Sequence, residues 1–477
     1  MCKKVLGGFL FIALCLLVTI VPSPAQQSKV RPTVWDVYPA MDRLQIQAFV
    51  DSALNGDTVY FHAGIYDWSG APIYPSQANE GAIKIVDKSL TIKGEPGNLI
   101  EGPDSVGPGS DMTGTHAFQI VDLDTNNDVT FIGLNIRHFM RGVQASYQTG
   151  TPKVNELTVP NARNITIRNC TITDMARQAI AIADPAGNVS IEKNILSQAG
   201  NGCIWLTYRG PDFALWQPDK STVEISGNTI TDCPRFGLYA ERTKNFRFEN
   251  NSISVPTPSS GTWAINIWGA KKGTVISANS ISNYLYGITC EGGAYSPPDN
   301  ASAENIIIDK NKISCVAPTY MWCCGICLDY DLSSGHMVTR NEINLTNGVG
   351  IYSEANHCLY SQNKISGTGW FAIWLSGYDY SGGTGLHTYA HHEMFLGNDV
   401  SKFTPSEAHY YLDYGTHENL VVGSPKPPWT YKNLGVNNLI FGGTDITTAA
   451  VQTLSAVTAV RPKPSDEFRE ARKNIIF

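Results

Sequence analysis

The sequence predicts an all-β solenoid, a stack of coils in which equivalent short strands pair in parallel. Three observations predict it. A segment of the form apolar-x-apolar-x-x-Asn-x-apolar recurs along the chain and brings Asn194, Asn228, Asn251, Asn279, Asn311, Asn341, Asn363 and Asn398 into one column. The 22 to 35 residues between successive members suit one turn of a solenoid and are mostly too few for a four-stranded propeller blade. The flanks alternate with period two and are broken by Gly, Asn and Ser, as short strands are, and do not run on at helical period.

The elements follow in chain order. Lys3 and Lys4 precede an apolar run from Val5 to Val21, and Ser23-Pro24-Ala25 supplies small residues for cleavage, so residues 1–25 read as an export signal. The run is near the length of a membrane span, which makes an uncleaved anchor the alternative. No later segment is long and apolar enough to cross a bilayer. Residues 26–66 hold a linker, a helix and an opening strand. Asp42 to Leu54 carries apolar residues near helical spacing and would close the N-terminal end of the core. Residues 67–443 hold the repeats, about ten to twelve coils, and Ile165 to Ile172 fits their frame with Cys170 in the Asn column. Coils stacked about 4.8 Å apart let equivalent Asn side chains hydrogen-bond up the column and satisfy turn groups otherwise buried unpaired, so the column is structural. Residues 444–477 change character. Ala449 to Val460 is apolar, Arg461-Pro-Lys-Pro464 is a breaker and Asp466 to Lys473 is charged, which suits either a covering segment or a tail.

With 42% hydrophobic and 16% charged residues, 43 Gly and 26 Pro in 477, the chain is globular and turn-rich, not disordered. Its net charge of −7 grows more negative once Lys3 and Lys4 leave, which excludes nucleic acid as a partner. Cys2 and Cys15 lie in the signal. The other nine cysteines read as buried apolar fillers, with a local bridge among Cys315, Cys323 and Cys324 as the alternative. Cys324-Gly-Ile-Cys327 has no second pair at zinc-site spacing, and on a strand its sulfurs would point to opposite faces, so no metal is assigned to it.

The repeats, with Ile46-Gln47 and Asn55-Gly-Asp57-Thr-Val59-Tyr-Phe61-His-Ala-Gly64-Ile-Tyr66 before them, resemble the right-handed parallel β-helix superfamily. That superfamily holds pectate lyases, polygalacturonases, alginate epimerases and NosD-like periplasmic proteins. The resemblance covers roughly Leu44 to Gly443 and implies a single right-handed parallel β-helix, with His62 standing where Pro is expected. It specifies fold far better than activity. Of a polygalacturonase-like site only Ser334-Gly335-His336-Met337 is found, without the second Gly. The Trp-Ile-Asp-His and Arg-x-Pro-x-x-Arg patterns of pectate lyases and the Tyr-Gly-x-Asp-Pro-His pattern of alginate epimerases are missing.

Each coil also carries a Gly-apolar-x-x-x strand: residues 142–146, 202–206, 237–241, 287–291, 325–329 and 350–354. The first and third residues after Gly are small or apolar and go inside; the second and fourth face out. With less regular copies added, the fourth-position column reads Ser146, Ile182, Leu206, Glu241, Ile267, Glu291, Asp329, Glu354, Ser376, Asp413. Five of these ten are acidic, where 42 acids in 477 residues predict about one. Like charges stacked in a sheet repel, so Glu291, Asp329 and Glu354 on consecutive coils are expected to raise one carboxyl pKa or to recruit a cation, with Ca2+ the candidate.

These three acids are the candidate catalytic residues. Neighbours about 5 Å apart suit a retaining glycosidase, and Glu291 with Glu354, two coils apart, nears the spacing for inversion. Tyr239, Tyr352 and Trp374 share the second-position column with Thr289 and Cys327, and Trp268 follows Ile267. These aromatics offer faces for sugar rings. Arg242 beside Glu241 would pair with it or hold a uronate carboxylate. His387 and His391 have i, i+4 spacing with His392 adjacent. A metal pair at that spacing needs a helix, Gly382-Gly-Thr-Gly385 argues against one, and no metal ligand is assigned. The chain shows no phosphate-binding loop, nucleophile elbow or dinucleotide fingerprint. The expectation is a monomer, secreted or periplasmic, that binds a polysaccharide or cell-envelope glycan and, if its acids are catalytic, cleaves it as a hydrolase or lyase. The alternatives are a non-catalytic glycan-binding, adhesive or scaffold protein and a NosD-like accessory protein.

Overall fold

Alternation sends one side of every strand inward, so stacking strands in register fills the interior with Ile, Val, Leu and Phe and leaves the outward rows free for chemistry. The computed structural model describes residues 31–447 except 73, 76–80, 104–112, 122–126, 146–163, 184, 186, 209–215, 259, 295–299, 318–322, 330–332, 378–389 and 424–427. Over these residues the chain winds as a right-handed parallel β-helix. One 15-stranded sheet runs from Val34–Val37 to Leu439–Phe441, and a 24-stranded set covers the other two faces. Two of the fifteen strands, Val34–Val37 and Thr58–Phe61, belong to the entry segment, and the other thirteen stack over residues 67–443, close to the ten to twelve coils expected.

Several strands, among them Ser280–Glu291, Glu342–Ser353 and Lys364–Leu375, run round the corner between the two faces of the larger set, with register shifts at the bend. The N-terminal end is closed as expected, by helix α1 (Arg43–Ser52). Asp42 caps it in a capping box with Gln45, and Ile46 and Val50 are buried beneath it. The Asn column also forms. From Cys170 to Asn363, each backbone N–H donates to the Oδ1 of the next Asn up the stack, at 2.9–3.0 Å. The same amides donate from Nδ2 to carbonyls of the coil below, for example Asn311 to Ile276.

The cysteines depart from expectation in part. Cys170, Cys290, Cys315, Cys323 and Cys358 are buried and free, but Cys203 pairs with Cys233 and Cys324 with Cys327. Three residues of extended strand span about 10 Å. The Cα atoms of Cys324 and Cys327 are 6.4 Å apart, so the chain bends between them and brings the sulfurs together. The signal (1–25), Ser146, His387, Gly382 to Gly385 and residues 448–477 lie outside the described residues. Among the described residues no helix is long and apolar enough to cross a membrane.

Candidate functional site

Backbone register decides which side chains share a row. Glu241 pairs with Trp268, Trp268 with Glu291, and Glu291 with Asp329. Leu328 pairs with Ser353, Ser353 with Leu375 and Leu375 with Leu412, which places Glu354, Ser376 and Asp413 on the coils after Asp329. Glu291, Asp329 and Glu354 thus stand on three consecutive coils, as the sequence predicts. Ile182, Leu206 and Ile267 do not belong to this row. They lie in the inward row with Ala240 and Cys290, and Ala183, Thr207 and Trp268 take the outward places. The reason is the marker glycine. Ile204, two residues after Gly202, pairs with Leu238, one residue after Gly237, so alignment on glycine slips by one and changes face. Trp268 therefore stands inside the acid row, between Glu241 and Glu291.

The row points away from the aliphatic core, yet it is not open to water. Glu241 and Asp329 are 0% exposed, Glu354 2% and Glu291 3%, with Arg242, Trp268, Tyr239 and Tyr352 equally enclosed. The outward orientation expected from the sequence holds, but the row is enclosed. The chain does not pass directly from these strands to the next sheet. After Glu291 it folds back as an antiparallel pair, Gly293–Ala294 with Asn300–Ala301, before Ala303 rejoins the stack between Ala270 and Ser333.

Residues two apart on a strand share a face, and that spacing supplies the acids with neutral donors. Tyr239 Oη donates to Glu241 Oε1, Tyr352 Oη to Glu354 Oε1, and Tyr411 Oη to Asp413 Oδ1 at 3.3 Å. Glu291 Oε1 accepts from Asn266 Nδ2 of the preceding coil at 3.0 Å. Burial and the Asp413 charge push the Tyr411 hydroxyl up, so it stays a donor. The Arg242 guanidinium lies 4.9 Å from the Trp268 ring centre, a cation–π contact. Tyr352, Phe371 and Tyr411 surround half-buried Trp374 at 5.2, 5.4 and 6.0 Å. Asn266 and Tyr411 were missed in the sequence reading. The signal for Tyr411 was the Tyr-x-acid spacing repeated at Tyr239, Tyr352 and Tyr411.

The donors at the centre of the row are oxygens. Besides the three carboxylates, Asn266 Oδ1 and Thr289 Oγ1 are buried without a hydrogen-bond partner among the described residues. A hard cation such as Ca2+ takes roughly six to eight oxygen ligands, so this set fits Ca2+ and is a poor match for a nitrogen- or sulfur-seeking ion.

Two other features lie nearby. His336, the remnant of a Gly-His-Gly signature, is a core residue. Its Nδ1 accepts from the Ile306 N–H at 3.2 Å, so Nε2 carries the proton and donates to Ser333 Oγ at 2.7 Å. Burial drives its pKa down to about 3. His391 and His392 do come together with another histidine, but it is His357 on the preceding coil, with one ring nitrogen from each within 4.8 Å of the others. Histidines meet here up the stack and not along a helix. Burial and the surrounding imidazoles lower the His391 pKa to about 4.

An open groove lies on the adjacent face, a space of about 650 Å3 lined by residues that include Ser282, Lys312, Ser314, Glu342, Asn344 and Lys364. Its charges alternate, and Lys364 Nζ lies 3.0 Å from Glu342 Oε1 in an exposed pair.

Residues 214–392 match the family described as right handed beta helix region. The chain is a right-handed β-helix protein. This β-helix protein superposes on the A-module of mannuronan C-5 epimerase AlgE6 from Azotobacter vinelandii with a TM-score of 0.50 and 15% identity. The match covers 86% of its own chain and 99% of the module. It superposes on the catalytic unit of a thermostable GH87 alpha-1,3-glucanase from Streptomyces thermodiastaticus strain HF3-3 with a TM-score of 0.50 and 13% identity, over 85% of its own chain and 66% of the glucanase. At these identities the likeness is one of fold. No curated protein sequence matches the β-helix protein.

Proposed function

We propose that this β-helix protein is an exported, monomeric, polysaccharide-active protein whose glycan site is the outward row around Glu291, Asp329 and Glu354. The observation that carries the reading is the register: Glu291 pairs directly with Asp329, and Glu354 follows on the next coil. Adjacent coils set carboxyls about 5 Å apart, the separation used by retaining glycosidases, and alternate coils set them at about 9 to 10 Å, near the upper end of the inverting range. Half-buried Trp374 supplies a flat apolar face for a sugar ring, whereas Trp268 is enclosed with the Arg242 guanidinium on its ring. Where Ca2+ is bound, Glu291, Asp329 and Glu354 with Asn266 and Thr289 would hold it, and the ion would neutralise a uronate. The fold supports the reading by the company it keeps, since one neighbour is described as a mannuronan epimerase and the other as an alpha-1,3-glucanase.

A second reading, a glycan-binding protein whose carboxylate row takes no part in turnover, is favoured by the 0 to 3% exposure of the acids. Incubation with neutral and uronate glycans, with and without Ca2+, separates the two. Reducing ends report hydrolysis, unsaturated-uronate absorbance reports elimination, and NMR reports C-5 inversion. Turnover of any glycan supports the first reading, and binding alone selects the second. Neither turnover nor binding across the panel sinks both. Calorimetry with Ca2+ should show binding that Asp329→Asn and Glu354→Gln each weaken.

A further inference from the structure

We propose that His357, His391 and His392 form a surface site for a borderline divalent transition-metal ion, with Zn2+ the first candidate. The site is independent of the acid row and lies one corner further along the coil.

Three consecutive coils build it from two adjacent columns. Leu359 pairs with Met394 and Met394 with Leu420, which sets His357, His392 and Glu418 one above the next. One residue earlier, His391 bridges to His417, and the His391 N–H donates to Asn356 Oδ1 at 3.2 Å. The backbone ladder continues through the turn, since His357 N–H donates to the His391 carbonyl at 3.1 Å. The imidazoles are thus carried on a fixed lattice, with coil spacing of about 4.8 Å.

The ring nitrogens converge. His391 Nδ1 and His392 Nδ1 face each other at 2.7 Å, a separation at which two nitrogens share a proton or yield it to a cation. A ring nitrogen of His357 completes a set lying within 4.8 Å. Zn–N bonds of about 2.0–2.1 Å hold ligand nitrogens about 3.3 Å apart in a tetrahedron. The present separations bracket that value, so small rotations of exposed rings would close the set.

A further observation points to a metal. Glu418 Oε2 lies 2.9 Å from His392 Nε2 and 3.5 Å from His417 Nδ1. A carboxylate on the far nitrogen of an imidazole fixes its tautomer and leaves the near nitrogen as a lone-pair donor, the usual support behind a metal-binding histidine. Here the near nitrogen is Nδ1, the atom turned toward His391. Three imidazoles select Zn2+, Ni2+ or Cu2+ over Ca2+. His357 and His392 are exposed and His391 is half-buried, so an ion can enter from solution and keep a position open for water or a ligand oxygen.

The competing description is a metal-free stack, in which His391 lies on His417 at 4.9 Å and His357 on His392 at 4.8 Å. Calorimetric titration of the untagged, EDTA-stripped full-length chain with Zn2+ alone decides between them. A single zinc should bind, Ca2+ should not compete, and Asp329→Asn should leave the affinity unchanged. His391→Ala and His392→Ala should abolish binding while the metal-free unfolding midpoint stays near wild type. Glu418→Gln should weaken it about 10- to 100-fold. No zinc binding at micromolar concentrations by the wild-type chain, or unchanged binding in the His391→Ala/His392→Ala double variant, overturns the proposal.

Discussion

On the strands that carry Lys312, Glu342, Lys364 and Asp399, the outward row alternates in sign from coil to coil. One corner later the same coils present Asp329, Glu354, Ser376 and Asp413, with Glu291 before them. The first row is solvated and open. The second is built of acids and a serine, and Glu291, Asp329 and Glu354 in it are enclosed. Opposite charges facing each other across strands are worth about 0.2–1 kcal/mol, and like charges cost a similar amount at the surface and more when water is excluded. The alternating row is what this stack builds when stability alone decides. A buried row of acids departs from it, with Tyr239, Tyr352, Tyr411 and Asn266 among its hydrogen-bond donors, and under the proposed function it is retained for a ligand.

The sharpest way to break the comparison is through activity. Asp329→Asn and Glu354→Gln should each lower glycan turnover about 10²- to 10⁴-fold, the range for loss of a general acid or base, whereas Glu342→Gln on the alternating row should leave it unchanged. Steady-state rates on the glycan identified by the panel measure this. Next in size, Asn311→Ala removes the Oδ1 that accepts from both the N–H and the Nδ2 of Asn279. Stranding these buried donors should cost about 2–4 kcal/mol in denaturant unfolding, and it should loosen both faces because one ladder sets the register of each.

A carboxyl inside the core sharpens the contrast. Glu393 is 0% exposed, and burial holds its pKa well above the ordinary 4.5. The folded chain keeps a proton that the unfolded chain releases above about pH 4.5, so the stabilising contribution of protonated Glu393 is lost as pH rises through the folded pKa. Glu393→Gln should therefore gain on wild type as pH increases, by up to about 1.4 kcal/mol per pH unit, as read from urea midpoints between pH 5 and 8. The smallest effect is expected for Glu342→Lys, which places like charges between Lys312 and Lys364. It should cost about 0.5 kcal/mol at low salt and less at high salt.

Much of this architecture was legible because a stack repeats its chemistry. Each Asn between Asn194 and Asn398 makes the same bond on a different coil, so spacing alone exposes the column. The acid row was legible where glycine keeps its place, at Gly237, Gly287, Gly325 and Gly350. It was misaligned where glycine shifts, as at Gly202, because a one-residue slip exchanges inside and outside. Enclosure of Glu241 and Asp329 could not be read from strand periodicity, since the periodicity says which way a side chain points and not what lies above it. The histidine cluster was hidden for a related reason. His357, His391 and His417 are separated by whole coils, and only the register of the neighbouring strands brings them together.

Thermal unfolding of Asp329→Asn in EDTA tests the central claim without knowledge of the sugar. If the row is kept for a ligand at the expense of the fold, the neutral and nearly isosteric amide should unfold at a higher temperature than wild type. A lower midpoint would show that the aspartate holds the stack together, and the row would then be structural.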